Sequence, residues 1–383
     1  MKMKKIAILA LALCMLLVTA CAPSAPANSG ATVTSGTASA AESASQAPQE
    51  ASVDAGGDKA FKVGFTIKTL DNPYFQALAQ AVKDEGETRG WSVSVLDAES
   101  SIETELANMD TFISQGMDLI VIDNFDARAC VPSIQQAYDA GIPVIAVDSG
   151  VDEDVPVVTI VYSNNKQNGR SVGLYANECY DPATKISSVL LSGDKGNPVG
   201  RDRRMGLFCG IIESRAKLSE EEAWAETEKF EQQLTDTGKA YHEAANFEVL
   251  AQGWAHWISD DGLPVMEDLL VANGDINCVL GENDNMLLGA MEALEAVNKL
   301  DQVQIFAAAD GQKEALALIQ QGTSYKGSGE NNPVKCAALV YKIADEILVN
   351  GADRDSYPYE TLTEAVAITP ENVDELYNPN AVF

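Results

Sequence analysis

The chain has 383 residues, with 57 acidic against 26 basic side chains and a formal net charge of −31. That balance argues against a nucleic-acid partner, since phosphate binding needs a basic face, and against a basic patch resting on anionic lipid. Seven cysteines without Cys-x-x-Cys spacing, and only two histidines, indicate no zinc site.

Lys2, Lys4 and Lys5 precede an apolar run over residues 6–18. The run is too short for a comfortable membrane span and no stop-transfer charges follow it, so a cleaved export signal is expected. It stops at Val18-Thr19-Ala20-Cys21, which resembles the lipobox of bacterial lipoproteins. The resemblance implies a signal peptide over 1–20 and acyl chains on Cys21 that hold the protein, outside the cytoplasm, to the cell membrane. An ordinary secretory signal with an incidental Cys21 is the alternative. Residues 22–59 are small and polar with no aromatic, so they cannot bury enough apolar surface to order themselves, and a flexible tether is expected. Patterned sequence begins at Phe61 and leaves about 320 residues, enough for two domains.

Short, β-branched, apolar runs over 61–67, 92–97, 119–123, 143–148 and 157–162 predict strands buried on both faces. Amphipathic stretches over 74–89, 102–115 and 129–140 predict the helices between the first four. This alternation implies right-handed βαβ units and a parallel sheet. A second series follows, with strands over 186–192, 247–251, 277–281 and 304–309 and helices over 201–214, 262–272, 285–299 and 313–321. The expected fold class is α/β, two doubly wound parallel-sheet lobes. Residues 219–239 break the alternation. They form a strongly acidic predicted helix opened by a Ser219…Glu222 capping box, with Trp224, Phe230 and Leu234 as one apolar stripe on an added surface helix. Cys14 lies in the signal. Cys130, Cys179, Cys209, Cys278 and Cys336 are odd in number and scattered, so buried free thiols are expected, with at most two disulfides.

Ligands of open parallel sheets bind outside the carboxyl ends of the strands. Asp123, Asp148, Asn164, Asn283, Asp284 and Asp310 cluster at those ends. A sugar hydroxyl is donor and acceptor at once, so carboxylates, amides and guanidinium suit it, and its C–H faces suit flat aromatic rings.

Asp71-Asn72-Pro73-Tyr74-Phe75 opens a helix after the first strand. Residues Gly141 to Ser149 (Gly-Ile-Pro-Val-Ile-Ala-Val-Asp-Ser), Asn283-Asp284-Asn285-Met286, Asp310-Gly311 and Ile368-Thr369-Pro370-Glu371-Asn372-Val373 follow in order. Together they resemble ribose- and galactose-type periplasmic binding proteins, the substrate-binding subunits of sugar ABC importers. The resemblance runs from Phe61 to the end, interrupted by an insertion at 219–239. It implies the class I venus-flytrap fold: two lobes joined by three strand crossovers near 162–164, 328–332 and 359–364. The N-terminal lobe would hold 60–162 with 331–359, the C-terminal lobe 163–330 with 361–383, and ligand would close them about the crossovers.

The resemblance also implies sugar contacts. Asn72, Tyr74 and Phe75 would touch one side of the ring, and Asp148 would accept from two hydroxyls. Arg203 would donate from the other lobe, Trp257 would stack, and Asn283, Asp310 and Asn331 would add polar contacts; Asn164 is a candidate from its place in the strand-end cluster alone. Lys68, Asp123, Ser149 and Trp254 are further candidates. Other readings stay open at this point. Trp254 and Trp257 fit a core, Asp148 fits a turn cap, Arg203 beside Arg201 and Arg204 fits a solvated cationic face, and Lys68 fits a salt bridge. The chain departs from the ribose type at Ser149, which replaces an arginine, at Ala309, which replaces an aromatic, and at Lys68, where a small hydroxyl residue is common. A wider or differently polar pocket is expected, with no calcium loop.

The expected function is capture of a monosaccharide or related polyol and its delivery to an ABC permease by a lipid-anchored monomer, without catalysis, cofactor or metal. The alternative is a sensor for a sugar-like signal, of the furanone autoinducer or chemoreceptor type. For an enzyme there is no Gly-x-Ser-x-Gly elbow or P-loop; Asp123 and Asp126 are the one pair that would mimic a hydrolase dyad.

Overall fold

The computed structural model describes residues 60–152 and 154–383. The expected signal, the lipid site at Cys21 and the tether fall outside them. The chain begins with β1 (Lys62–Ile67), α1 (Pro73–Thr88), β2 (Ser92–Asp97), α2 (Ile102–Ser114), β3 (Leu119–Asp123), α3 (Val131–Asp139), β4 (Val144–Val147) and β5 (Ile160–Tyr162). Strand β3 is buried at every residue and β1 at all but its first. Helix α1 starts where Asn72 accepts a hydrogen bond from the Tyr74 amide at 2.8 Å, with Pro73 in the first turn, where its missing N–H costs nothing.

The chain then enters a second series: α4 (Asn165–Glu178), β6 (Ile186–Ser192), α5 (Pro198–Ala216), α6 (Glu220–Thr237), β7 (Ala240–His242) and β8 (Phe247–Trp254). It continues through α7 (Ser259–Ala272), β9 (Cys278–Gly281), α8 (Asp284–Ala296), β10 (Gln304–Asp310), α9 (Lys313–Gln320) and β11 (Tyr325–Glu330). It returns for α10 (Pro333–Ala344) and β12 (Glu360–Leu362), then ends with β13 (Ala367–Ile368) and α11 (Val373–Leu376).

The strands form two sheets. The first runs β12-β5-β4-β3-β1-β2 and is wholly parallel; the second runs β13-β11-β10-β9-β6-β8-β7, with only the edge strands β7 and β13 antiparallel. Each sheet is covered on both faces, as parallel sheets must be. Leu78, Val82, Val340 and Tyr341 fill one side of the first sheet and Met109, Phe112 and Ile134 the other. Met266, Leu287 and Ile319 cover one face of the second sheet, and Val172, Phe208 and Phe230 the other. The fold is therefore the two-lobed α/β architecture expected from the strand–helix alternation. Among the described residues no helix is long and apolar enough to cross a membrane.

The differences are local and have physical causes. Helix α4 was not foreseen, because its sequence Asn-Lys-Gln-Asn-Gly-Arg-Ser-Val-Gly is poor in helix formers. It forms because α4 and α5 pack backbone to backbone. A Cβ on Gly173 would stand 2.3 Å from the Leu207 carbonyl oxygen, and one on Gly210 would stand 2.1 Å from that of Arg170. The acidic segment forms α6 with its capping box, and Phe230 stacks on Phe247 with centroids 5.0 Å apart. Helix α5 starts at Pro198 rather than 201 because Asn197 caps it. Strand β12 stays in the first sheet to Leu362, past the expected boundary at 359. All five cysteines among the described residues are free; Cys179 is half-buried and the rest are buried.

Candidate functional site: a cleft between the two sheets

Strands β1, β3 and β4 are parallel neighbours, so their carboxyl ends lie side by side. Lys68 follows β1, Asp123 ends β3, and Asp148 and Ser149 follow β4. The Lys68 ammonium lies 3.2 Å from Asp123 Oδ1 and 3.5 Å from Asp148 Oδ2, and it donates to Ser149 Oγ at 2.6 Å. Ser149 in turn donates to Asp123 Oδ1 at 2.6 Å. Burial alone would lower the Lys68 pKa, but Asp123 and Asp148 outweigh it and hold the ammonium above its ordinary value. The Asp123 carboxyl is pushed up to about 6 by burial, against the pull of Lys68. Lys68 also lies 4.6 Å from the Phe75 ring centre, and Asp148 adopts a left-handed backbone (φ +61°).

The second lobe supplies Arg203 from α5. Its Nε donates to Asn165 Oδ1 at 2.9 Å and its NH1 pairs with Asp310 Oδ1 at 2.9 Å. Asp310 ends β10, and burial raises its pKa while Arg203 opposes the rise. The turn after β10 is fixed by Asp284, whose Oδ2 accepts from the amides of Asp310, Gly311 and Gln312 at 3.1, 2.7 and 2.8 Å. Trp257 lies beside the Arg203 guanidinium, 5.7 Å from centroid to carbon, and its Nε1 donates to Asp194 Oδ2 at 3.0 Å. Asn283 caps α8 and donates to the Trp257 carbonyl at 3.2 Å. Asn331, between β11 and α10, accepts from the Tyr74 hydroxyl at 3.2 Å and donates to Asp310 at 3.4 Å. It thereby links a first-lobe ring to a second-lobe carboxylate.

These groups surround a cavity of about 600 Å³. Lys68, Asn72, Tyr74, Phe75, Asp148, Ser149, Arg203, Trp257, Asn283, Asp310 and Asn331 all line it. Three other candidates do not. Asn164 caps α4, accepting from the Gln167 amide at 3.3 Å; its neighbour Asn165 faces the cleft instead. Asp123 is fully buried behind Lys68 and Ser149. Trp254 lies on β8 with its ring 6.0 Å from the Arg204 guanidinium, itself bound to Glu231 and Glu282.

Sequence reasoning missed Asn165, Asn197, Gln312, Asn124 and Phe383 in the lining. The Asn197-Pro198 pair was a usable signal, since it marks a helix start after a strand end. Asn165 was hidden with α4, and nothing local points to Phe383.

Chemically, the cleft presents two cations, each held beside carboxylates, with amides and aromatic rings between them. Such a lining offers donors and acceptors in matched sets to a ligand dense in hydroxyls.

Two doubly wound lobes enclosing a polar, aromatic-walled cleft define a two-lobed solute receptor. The chain belongs to the family described as the periplasmic binding protein domain, whose profile matches residues 63–352. It is similar to the ribose import binding protein of Bacillus subtilis, 27% identical over 295 residues that cover 77% of this chain and 84% of that one. The Escherichia coli ribose import binding protein is 26% identical over 291 residues, covering 76% and 82%. Among solved structures, an ABC transporter solute binding protein from Mycobacterium smegmatis with bound glycerol superposes with a TM-score of 0.67. It is 26% identical, over 84% of this chain and 98% of that chain. A solute binding protein from Bacillus halodurans with bound myo-inositol shares the fold at 24% identity and a TM-score of 0.66, over 84% and 98%.

Proposed function

We propose that the protein is an extracytoplasmic receptor that captures a monosaccharide or related polyol in the interlobe cleft and delivers it to an ABC permease. One observation carries this reading. The Lys68–Asp148 pair of one lobe and the Arg203–Asp310 pair of the other line the same cavity, with Phe75 and Trp257 beside them. In this reading Asp148 and Lys68 bind hydroxyls on one side and Arg203, Asp310 and Asn283 bind them on the other. Trp257 and Phe75 cover the C–H faces. Micromolar affinity needs only about −8 kcal/mol, which a few hydrogen bonds to charged groups at about 1.5–3 kcal/mol each would supply. No bond of the ligand is made or broken. Residues 60–162 with the segment from 331 would move as one lobe, and 163–330 with the last strand and helix as the other. The acylated Cys21 would keep the monomer at the membrane beside its permease.

The test is a thermal-shift and tryptophan-fluorescence screen of the full chain, unfolded and refolded to shed carried ligand. The panel is monosaccharides, polyols, nucleosides, amino acids and furanone signals. A saturable shift with a sugar or polyol is expected, and Arg203→Lys, which keeps the charge but loses the planar fork, is expected to weaken that binding at least about tenfold. A response to a furanone signal alone would replace transport with sensing. A response to amino acids alone would overturn the site chemistry.

A further inference from the structure

The cleft adjoins a second cavity of about 440 Å³, enclosed by α1, the starts of α9 and α10, and the segment after α11. Three residues line both spaces: Asp310, Asn331 and Phe383. Asp310 and Asn331 are fixed by the hydrogen bonds already described. Phe383 is held by packing. Its ring meets Tyr74 edge-on at 5.3 Å and 83°, and Tyr74 meets Phe75 in the same way at 5.4 Å and 85°. The ring thus joins the apolar cluster of the first lobe. Its own segment is tied to the second lobe, where Lys313 at the start of α9 donates to the carbonyls of Ala381 and Val382 at 2.8 and 3.4 Å.

We propose that Phe383 sets the size limit of the ligand, its ring being the removable part of the wall between the cleft and the second cavity. The inference rests on the sugar-receptor reading and deepens it. The second cavity has a mixed lining, with Ala77, Ala81, Leu316, Val334, Leu376 and Val382 beside charged side chains such as Asp84, Glu85 and Glu330. The ligands it shuts out are sugars or polyols extended by a substituent, of which an alkyl or aryl group would lie against the apolar part of that lining. Lys313 is a positioning residue, since it fixes the segment that carries the ring.

The experiment uses the full chain and calorimetry with ribose, arabinose, galactose, glucose and myo-inositol beside the butyl and benzyl glycosides or ethers of each. The wild type is expected to bind a parent compound and reject its butyl derivative. Phe383→Ala is expected to weaken the parent about tenfold, as loss of an aromatic contact does, and to bind the butyl derivative comparably. Lys313→Met keeps the Phe383 side chain but frees the segment that holds it in the wall, and it is expected to admit the derivative as well. A wild type that binds parent and derivative equally, or rejection of every derivative by both variants, overturns the proposal. Silence of the wild type toward all parents would overturn the sugar reading alone. The ligand-free crystal structure of Phe383→Ala then decides the partition: one continuous cavity supports it, and two separate cavities overturn it.

Discussion

Most buried charged side chains among the described residues face an opposite charge; Asp284, held by backbone amides and hydroxyls, and Glu105 do not, and Glu105 is the more instructive. It lies on α2, fully buried, with its Oε2 accepting from the Phe125 amide at 2.6 Å and its Oε1 without a hydrogen-bond partner among the described residues. Burial pushes its pKa up to about 7; the Phe125 amide opposes the rise, Asp123 and Asp126 add to it, and Lys68 opposes it. A carboxyl whose folded pKa is raised holds its proton better in the native state. Its stabilising contribution is therefore complete below the ordinary carboxylate range and is lost as pH climbs to about 7. Asp123 acts in the same sense up to about 6. Glu105→Gln keeps an acceptor for Phe125 and removes the charge. Urea midpoints measured at pH 5 and pH 8 should fall with rising pH in the wild type and fall less in the variant. Equal slopes would mean that Glu105 does not titrate in this window.

At the scale of elements, the contact between α4 and α5 places Arg203. Both helices present glycines at the crossing, which lets the backbones touch and brings Asn165 of α4 within 2.9 Å of Arg203 Nε. Gly210→Ala forces a Cβ to 2.1 Å from the Arg170 carbonyl, so the helices must part. The expected cost is about 1–3 kcal/mol in denaturant unfolding, with weaker ligand binding because Arg203 shifts. Unchanged stability would show that the crossing has slack. This pair also explains why α4 escaped the sequence pattern. Helix propensity counts glycine as a loss, whereas here the close approach that glycine permits is what makes the helix form. Helix α6 behaved oppositely. Its capping box and apolar stripe were plain in the sequence, yet its buried Glu231–Arg204 pair at 2.6 Å depends on α5 and could not be foreseen.

At the scale of the whole molecule, one side chain ties the three crossovers together. Asn168 Nδ2 donates to the Glu330 carbonyl at 2.6 Å and to Ser163 Oγ at 2.9 Å, and its Oδ1 accepts from the Val366 amide at 2.9 Å. Ser163 and Glu330 lie within the first and second expected crossovers, and Val366 lies between β12 and β13, just past the third. In the proposed receptor, lobe closure would require these segments to move in concert. Asn168→Ala leaves buried backbone groups without partners and is expected to cost about 1–3 kcal/mol of stability. It should also expand the ligand-free protein in small-angle scattering, with ligand restoring the compact form at a higher concentration. A melt and a scattering curve identical to wild type would remove Asn168 from the hinge.

The sequence by itself determined the two-lobed α/β fold, because buried parallel strands are apolar on both faces and the helices between them carry a 3.6-residue stripe. It also pointed to several of the polar residues that line the cleft, since Asp148, Asn283 and Asp310 lie at or just beyond strand ends whose position in a parallel sheet is fixed by chain direction. Only the tertiary structure decided that Asn165 rather than its neighbour Asn164 lines the cleft. Helix phase and loop backbone set that choice, and neither leaves a local mark. The place of Phe383 was decided in the same way. Its contact with Tyr74 spans the full length of the folded chain, and no spacing rule reaches that far.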